Sequence, residues 1–122
     1  MIVLDLPMPP STNNLFINVP GKGRVRSERY KTWRRAAENL YLAQKRGCVA
    51  VEGHFRADIV LSSKRRRKNS DADNFIKAAL DFLQSMNLIE NDALADRVSV
   101  EWGEAEEGCR VFIMPSQQAE AA

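Results

Sequence analysis

Two stretches of this chain repeat their apolar residues every three to four positions, and neither can bury that stripe alone. Tyr30, Trp33, Ala37, Leu40 and Tyr41 form the first, predicting a helix from Ser27 to Arg46. Ser27 is placed to cap it, Glu28 suits its first turn and Gly47 stops it. Phe75, Ile76, Ala79, Leu80, Leu83 and Met86 form the second, with Ser70 as N-cap, Asp73 three residues on and Asn87 as a left-handed C-cap. The partner for both stripes must come from the period-2 segments. Ile2, Leu4 and Leu6 alternate, and Pro7, Pro9 and Pro10 end that strand. Phe55, Ala57, Ile59 and Leu61 share one face of a strand region over Val49 to Leu61, interrupted by Gly53. Val98, Val100 and Trp102, then Cys109, Val111 and Ile113, read as a final hairpin turning through Glu104 to Gly108. Leu15 to Arg26, with Pro20, Gly21 and Gly23 among its cations, reads as a mobile basic loop. The order is β-α-β-α-β-β, an α+β (mixed α/β) domain with two amphipathic helices on a small mixed sheet. If its first two strands are parallel neighbours, their crossover is right-handed. Residues 1–116 are expected to make one domain and 117–122 a frayed tail.

Charge matters here through its placement. The chain's 122 residues carry a net charge of only +2, so attraction to a polyanion has to come from clustering. Hydrophobic residues at 44% and charged residues at 28% exclude a disordered chain. Cys48 and Cys109 lack metal-ligand spacing and suit a reducing compartment, and His54 alone excludes a His-rich metal site. No apolar run approaches the ~18 residues of a membrane helix. The expectation is a soluble cytoplasmic protein with no membrane association and no organic cofactor.

The clustering falls between the second strand region and the second helix. Lys64, Arg65, Arg66, Arg67 and Lys68 run almost directly into Asp71 and Asp73, with Lys77 one turn along and Asp92 beyond the helix. Carboxylates without histidine favour a hard, oxygen-bound ion such as Mg²⁺ or Mn²⁺, and a basic run suits phosphate. Chemistry on a phosphodiester needs both together. Each part also has a simpler reading. Asp71 and Asp73 complement a helix N-terminus by ~1 kcal/mol or less. Lys77 completes a surface ladder with Asp73 and Asp81, worth ~0.2–0.5 kcal/mol per pair. The basic run suits a solvated loop, although its place between two packed elements favours phosphate contact. Asn13 and Asn14 serve equally as turn residues or as donors to phosphate. From Asp73 to Met86 a continuous helix extends ~20 Å. The six residues from there to Asp92 cover at most ~20 Å. Asp92 therefore joins Asp71 and Asp73 only if the chain runs straight back or the helix ends early; otherwise it completes a partner's site.

Asp71-Ala72-Asp73-Asn74-Phe75-Ile76-Lys77-Ala78-Ala79-Leu80-Asp81 resembles the D-x-D-N-x-x-K-x-x-x-D motif of the RusA family of Holliday junction resolvases. Ile89-Glu90-Asn91-Asp92 is similar to that family's later acidic turn, and Pro7-Met8-Pro9-Pro10-Ser11-Thr12-Asn13-Asn14 to its P-x-P-P-S-x-N opening. The resemblance implies a metal-dependent homodimeric endodeoxyribonuclease that nicks four-way DNA junctions symmetrically. It implies Asp71, Asp73 and Asp92 as catalytic metal ligands, Lys77 as the catalytic cation and Asn74 as an orienting residue. One departure is Glu90-Asn91-Asp92, where family members often carry paired aspartates. Two other classes fit the residues themselves: a non-catalytic domain binding structured DNA, and a nuclease acting on flaps or structured RNA.

Overall fold

The computed structural model describes residues 1–116, and the expected tail at 117–122 lies outside them. The elements are β1 (Ile2–Pro7), β2 (Phe16–Val19), β3 (Gly23–Arg26), α1 (Glu28–Gln44), β4 (Phe55–Ser62), α2 (Ile76–Ser85), β5 (Ala95–Gly103) and β6 (Gly108–Pro115). The α+β class holds: two helices accompany a mixed four-stranded sheet of order β1-β6-β4-β5. The first helix begins as expected, with Ser27 Oγ accepting from the Tyr30 amide at 3.1 Å.

The strand pairing differs from the sequence reading in two ways. β5 and β6 do not form a hairpin with each other; β4 lies between them, parallel to β5 and antiparallel to β6. β1 and β4 are not neighbours either, because β6 separates them. Burial explains both. Cys109, Val111 and Ile113 of β6 are wholly buried, the environment of a central strand, whereas β5 carries exposed Asp96, Arg97 and Glu101 and suits an edge. The two facing registers, Leu4 with Val111 and Ile59 with Val111, place one apolar layer under the helices.

The presumed basic loop is also ordered, as the antiparallel hairpin β2–β3 with Phe16 opposite Arg26. Gly21 and Gly23, at φ +80° and +76°, give the turn backbone conformations that other residues resist. A two-stranded hairpin is marginal alone. This one is tied down by buried Leu15 and by Phe16 against the edge of Tyr30, centroids 5.8 Å apart. Tyr30 stacks on Trp33, which meets Phe82 edge-on at 5.9 Å, so hairpin, α1 and α2 share one aromatic seam.

Two further contacts fix what surrounds the site. Trp33 Nε1 donates to the Pro7 carbonyl at 3.0 Å, and Gly108, at φ +126°, lies so close to the Met8 backbone that no Cβ fits there. The Pro7–Pro10 segment is thereby held between α1 and the start of β6.

Candidate active site

The second helix starts later than its sequence pattern suggests. Ser70 does not cap it: Ser70 Oγ accepts from the Arg67 amide at 3.1 Å and closes the loop before it. Asp71 precedes a 3-10 turn, Ala72–Phe75, without a side-chain cap bond, and the α-helical run begins at Ile76. That turn abuts a second 3-10 turn, Thr12–Asn14, whose Thr12 Oγ1 donates to the Asn74 carbonyl at 3.0 Å. The proline-rich opening therefore braces the acidic turn.

The other end of α2 reverses sharply. Asn87 takes φ 59°, its amide bonds to the Gln84 carbonyl, and the Leu88 amide reaches back to the Leu83 carbonyl at 2.9 Å. This is the Schellman arrangement, with buried Leu83 and Leu88 at its two ends. The returning chain is pinned at alternate residues. Leu88 O accepts from Val51, Glu90 Oε1 accepts from Gly53 at 2.8 Å, and Gln84 Oε1 accepts from the Asp92 amide at 3.0 Å. Asn91 caps the turn that follows, its Oδ1 accepting from Ala93 at 2.8 Å, so the position where the acidic turn departs from paired aspartates has a backbone task.

This return brings Asp92 back alongside α2 in its own chain. Asp92 Oδ2 stands 3.7 Å from Lys77 Nζ in the same chain, and Asp81 Oδ1 stands 3.2 Å from that nitrogen on its other side. The Asp81 carboxylate, with Asp92 adding to it, holds the Lys77 ammonium above its ordinary range despite some opposing desolvation. Among the described residues Lys77 makes no pair with Asp73, so only the Asp81 rung of the expected ladder forms. Asp71 and Asp73 are exposed, and among the described residues neither carboxylate accepts a hydrogen bond or joins an ion pair. Their lone pairs are uncommitted.

The three expected ligands do not converge as a finished metal cage. Among the described residues no group of three His, Cys, Asp or Glu has that arrangement. Asp71 and Asp73 sit on the entry turn, while Asp92 faces Lys77 and Asp81. By chemical type the donors still suit a hard divalent ion, being carboxylates, those of Asp71 and Asp73 uncommitted at the entry to α2.

The basic run divides. Arg65 and Arg67 line a cleft of about 540 Å³ beside Ser70, with Asn14, Trp33 and Phe75 on its other walls. Arg66 instead lies over the Trp102 ring at 5.6 Å, and Trp102 meets Phe75 edge-on at 5.9 Å. Lys64 borders a different cleft, with Glu104 and Glu106. Lys68 is exposed in the loop. Asn14 closes its own turn, Nδ2 donating to Ser11 Oγ at 2.8 Å, and Asn13 is exposed beside it. Arg29 also lines the cleft beside Ser70, and sequence reasoning passed over it. Its position four residues before Trp33, on the same helical face, was the available signal. Asp81 was legible as the i+4 partner of Lys77, but its place beside Asp92 was not.

The family model described as Endodeoxyribonuclease RusA matches residues 7–114. This chain belongs to the RusA endodeoxyribonuclease family. The matched span runs from the proline-rich opening to β6 and takes in both acidic turns and Lys77. Membership brings a nuclease activity associated with Holliday junction resolution, and with it DNA as the partner. A comparison with curated proteins finds no match. No helix among the described residues is long and apolar enough to cross a membrane.

Proposed function

We propose that this RusA-family chain is a divalent-metal-dependent endodeoxyribonuclease that resolves four-way DNA junctions by paired, symmetric incisions. The observation that carries the reading is Lys77 set between Asp81 and Asp92, one turn from the uncommitted Asp73 and along α2 from the arginine-lined cleft. Asp71, Asp73 and Asp92 would hold the ion through carboxylate oxygens, Mg²⁺ being the expected species and Mn²⁺ a substitute. The chemistry such an ion supplies is charge neutralisation on the phosphate and a bound water of lowered pKa. The chain's own groups do the rest. Arg65, Arg67 and Arg29 draw the DNA backbone toward the acidic turn, where carboxylates alone would repel it. Lys77, its ammonium held by Asp81 and Asp92, offers a fixed positive charge to the phosphate oxygens or the departing oxygen. Asn74, fixed through its carbonyl by Thr12, orients the turn that carries Asp73.

Paired incision of a junction needs two sites related by a twofold axis, and a homodimer is the least elaborate way to provide them. DNA binding would place the protein with the nucleoid in the cytoplasm. The deciding experiment is a cleavage panel of synthetic four-way junction, flap, duplex and single strand, with Mg²⁺, Mn²⁺ or EDTA. The expected result is symmetric nicking of the junction with either metal and none in EDTA. Preference for the flap would replace the junction reading, and binding without divalent-dependent nicking would leave a structured-DNA-binding domain.

A further inference from the structure

We propose that Arg26 and Arg34 form a phosphate clamp that grips the DNA strand beyond the Lys77–Asp92 cluster, toward the end of α2. The proposal rests on the DNA-cleaving reading above and adds a second contact site to it. Arg26 ends β3 and Arg34 lies on α1, yet both guanidiniums sit over the ring of Tyr30, each 5.7 Å from its centroid. They are therefore no more than twice that distance apart. Arg34 is further fixed by the Phe82 ring at 5.8 Å and by its Nη2 donating to Ser85 Oγ at 2.7 Å. Among the described residues neither arginine joins an ion pair. Two cations held over one ring and unpaired repel each other, and a phosphate between them removes that repulsion while its oxygens accept from both planar forks.

The surroundings give the clamp a direction. A cleft of about 310 Å³ is lined by the two arginines together with Asp81, Gln84 and Ser85. Asp81 is the residue that holds Lys77, and Gln84 is the residue that holds the Asp92 amide. The cleft thus abuts the catalytic cluster. The arginine-lined cleft at Ser70 and Phe75 opens toward the start of α2, and neighbouring rings wall the two clefts, Trp33 in that one and Tyr30 in this, 6.3 Å apart. A strand whose scissile phosphate rests at the cluster would meet fixed cations on both sides. A purely structural role, a cation tying α1 to the last turn of α2, accounts for Arg34 but not for Arg26. Arg26 is exposed, on a separate hairpin, and over the same ring.

The test measures binding of a fluorescein-labelled synthetic four-way junction in EDTA over a range of salt concentrations. Wild type is compared with Arg26→Ala, Arg34→Gln, the double variant, and an Arg65→Ala/Arg67→Ala control. Each clamp substitution is expected to lower the slope of log affinity against log salt by about 0.9, and the double variant by about twice that. Methylphosphonate substitution, one phosphate at a time, is expected to find a position on one side of the cut whose neutralisation weakens wild-type binding but not that of the double variant. If the control flattens the slope while Arg26→Ala and Arg34→Gln match wild type, the clamp is refuted and the DNA-binding reading stands. If no variant changes the slope, both fail. Should Arg34→Gln fold poorly, Arg26→Ala alone decides, since its exposed side chain joins no ion pair among the described residues.

Discussion

Where α1 crosses β1, Gln44 Oε1 accepts from the Asp5 amide and its Nε2 donates to the Asp5 carbonyl, both at 2.8 Å. β1 is an edge strand, and one glutamine closes the backbone bonds that its free edge leaves open at that residue. On the neighbouring strand Arg110 grips the Asp5 carboxylate at 2.7 Å and 3.4 Å, directly across the register. Along α2 the pattern reverses. Asp71 and Asp73 hold nothing among the described residues, Lys77 is shared between two carboxylates, and Arg65 and Arg67 face an open cleft. Polar groups that complete one another specify shape; groups left partly unused are available to a ligand. Under the proposed function the β1 corner belongs to architecture and the α2 region to chemistry, and substitutions in the two regions should separate stability from activity.

The largest effect is expected on the α2 side. Asp71→Asn, Asp73→Asn and Asp92→Asn should each lower junction cleavage by at least about a hundredfold, in the range seen when one preorganised electrostatic group is removed. Thermal unfolding of the Asp71 and Asp73 variants should stay close to wild type, because neither carboxylate supports the fold. Junction binding should persist or tighten as negative charge facing the phosphates is removed. A sharp drop in melting temperature for Asp73→Asn would make its carboxylate structural and collapse the contrast.

Gln44→Ala tests the other half. It strips Asp5 of two hydrogen bonds and is expected to lower stability by about 1–3 kcal/mol, with cleavage unchanged below the new unfolding transition. Loss of cleavage in the still-folded variant would show that the two regions are coupled.

A smaller signature lies in alkali. Burial pushes the Cys109 thiol up to about 12 from 9.0, with the Asp5 charge adding to the effect. Between those values the unfolded chain has lost a proton that the folded chain keeps. Stability should therefore fall as pH rises, by about 1.4 kcal/mol for each pH unit. The Lys77 ammonium, raised by Asp81, has its contribution in place below its unfolded pKa and loses it as pH rises through the folded value, in the same direction. Denaturant titrations above pH 9 should show a flatter pH slope for Cys109→Ala; an unaltered slope would remove Cys109 from the account.

Sequence periodicity revealed both helices and the buried faces of β1, β4 and β6, because one-sided burial leaves its period in the residues, whereas on the edge strand β5 Val98 stays exposed. It did not reveal pairing. Val98, Val100 and Trp102 followed by Cys109, Val111 and Ile113 look like neighbours in a hairpin, and only competition for the central position puts β4 between them. The hairpin β2–β3 was hidden because its strands are only four residues long and β3 carries Arg24 and Arg26, and its order comes from Tyr30, remote from the turn itself. In the site, the residue types and the spacing of Asp71, Asp73 and Lys77 were legible. The return of Asp92 was legible only in part: Asn87 stands out as the reversing cap, but nothing in the sequence points to Gln84 catching the Asp92 amide. Nor did a run of five cations tell which would face the cleft, because Arg66 is drawn to Trp102 by a strand distant in sequence.

Lys77 is the residue on which the two readings of this region divide most cleanly. As a rung between Asp81 and Asp92 it is a half-exposed ion pair worth no more than about 1 kcal/mol. As the cation at the scissile phosphate it is indispensable. The decisive measurement is single-turnover cleavage of a four-way junction by Lys77→Ala in Mg²⁺, beside its thermal unfolding curve. The account expects cleavage to be abolished while the unfolding transition and junction binding remain near wild type. Cutting at close to the wild-type rate would contradict it and return Lys77 to the surface of α2.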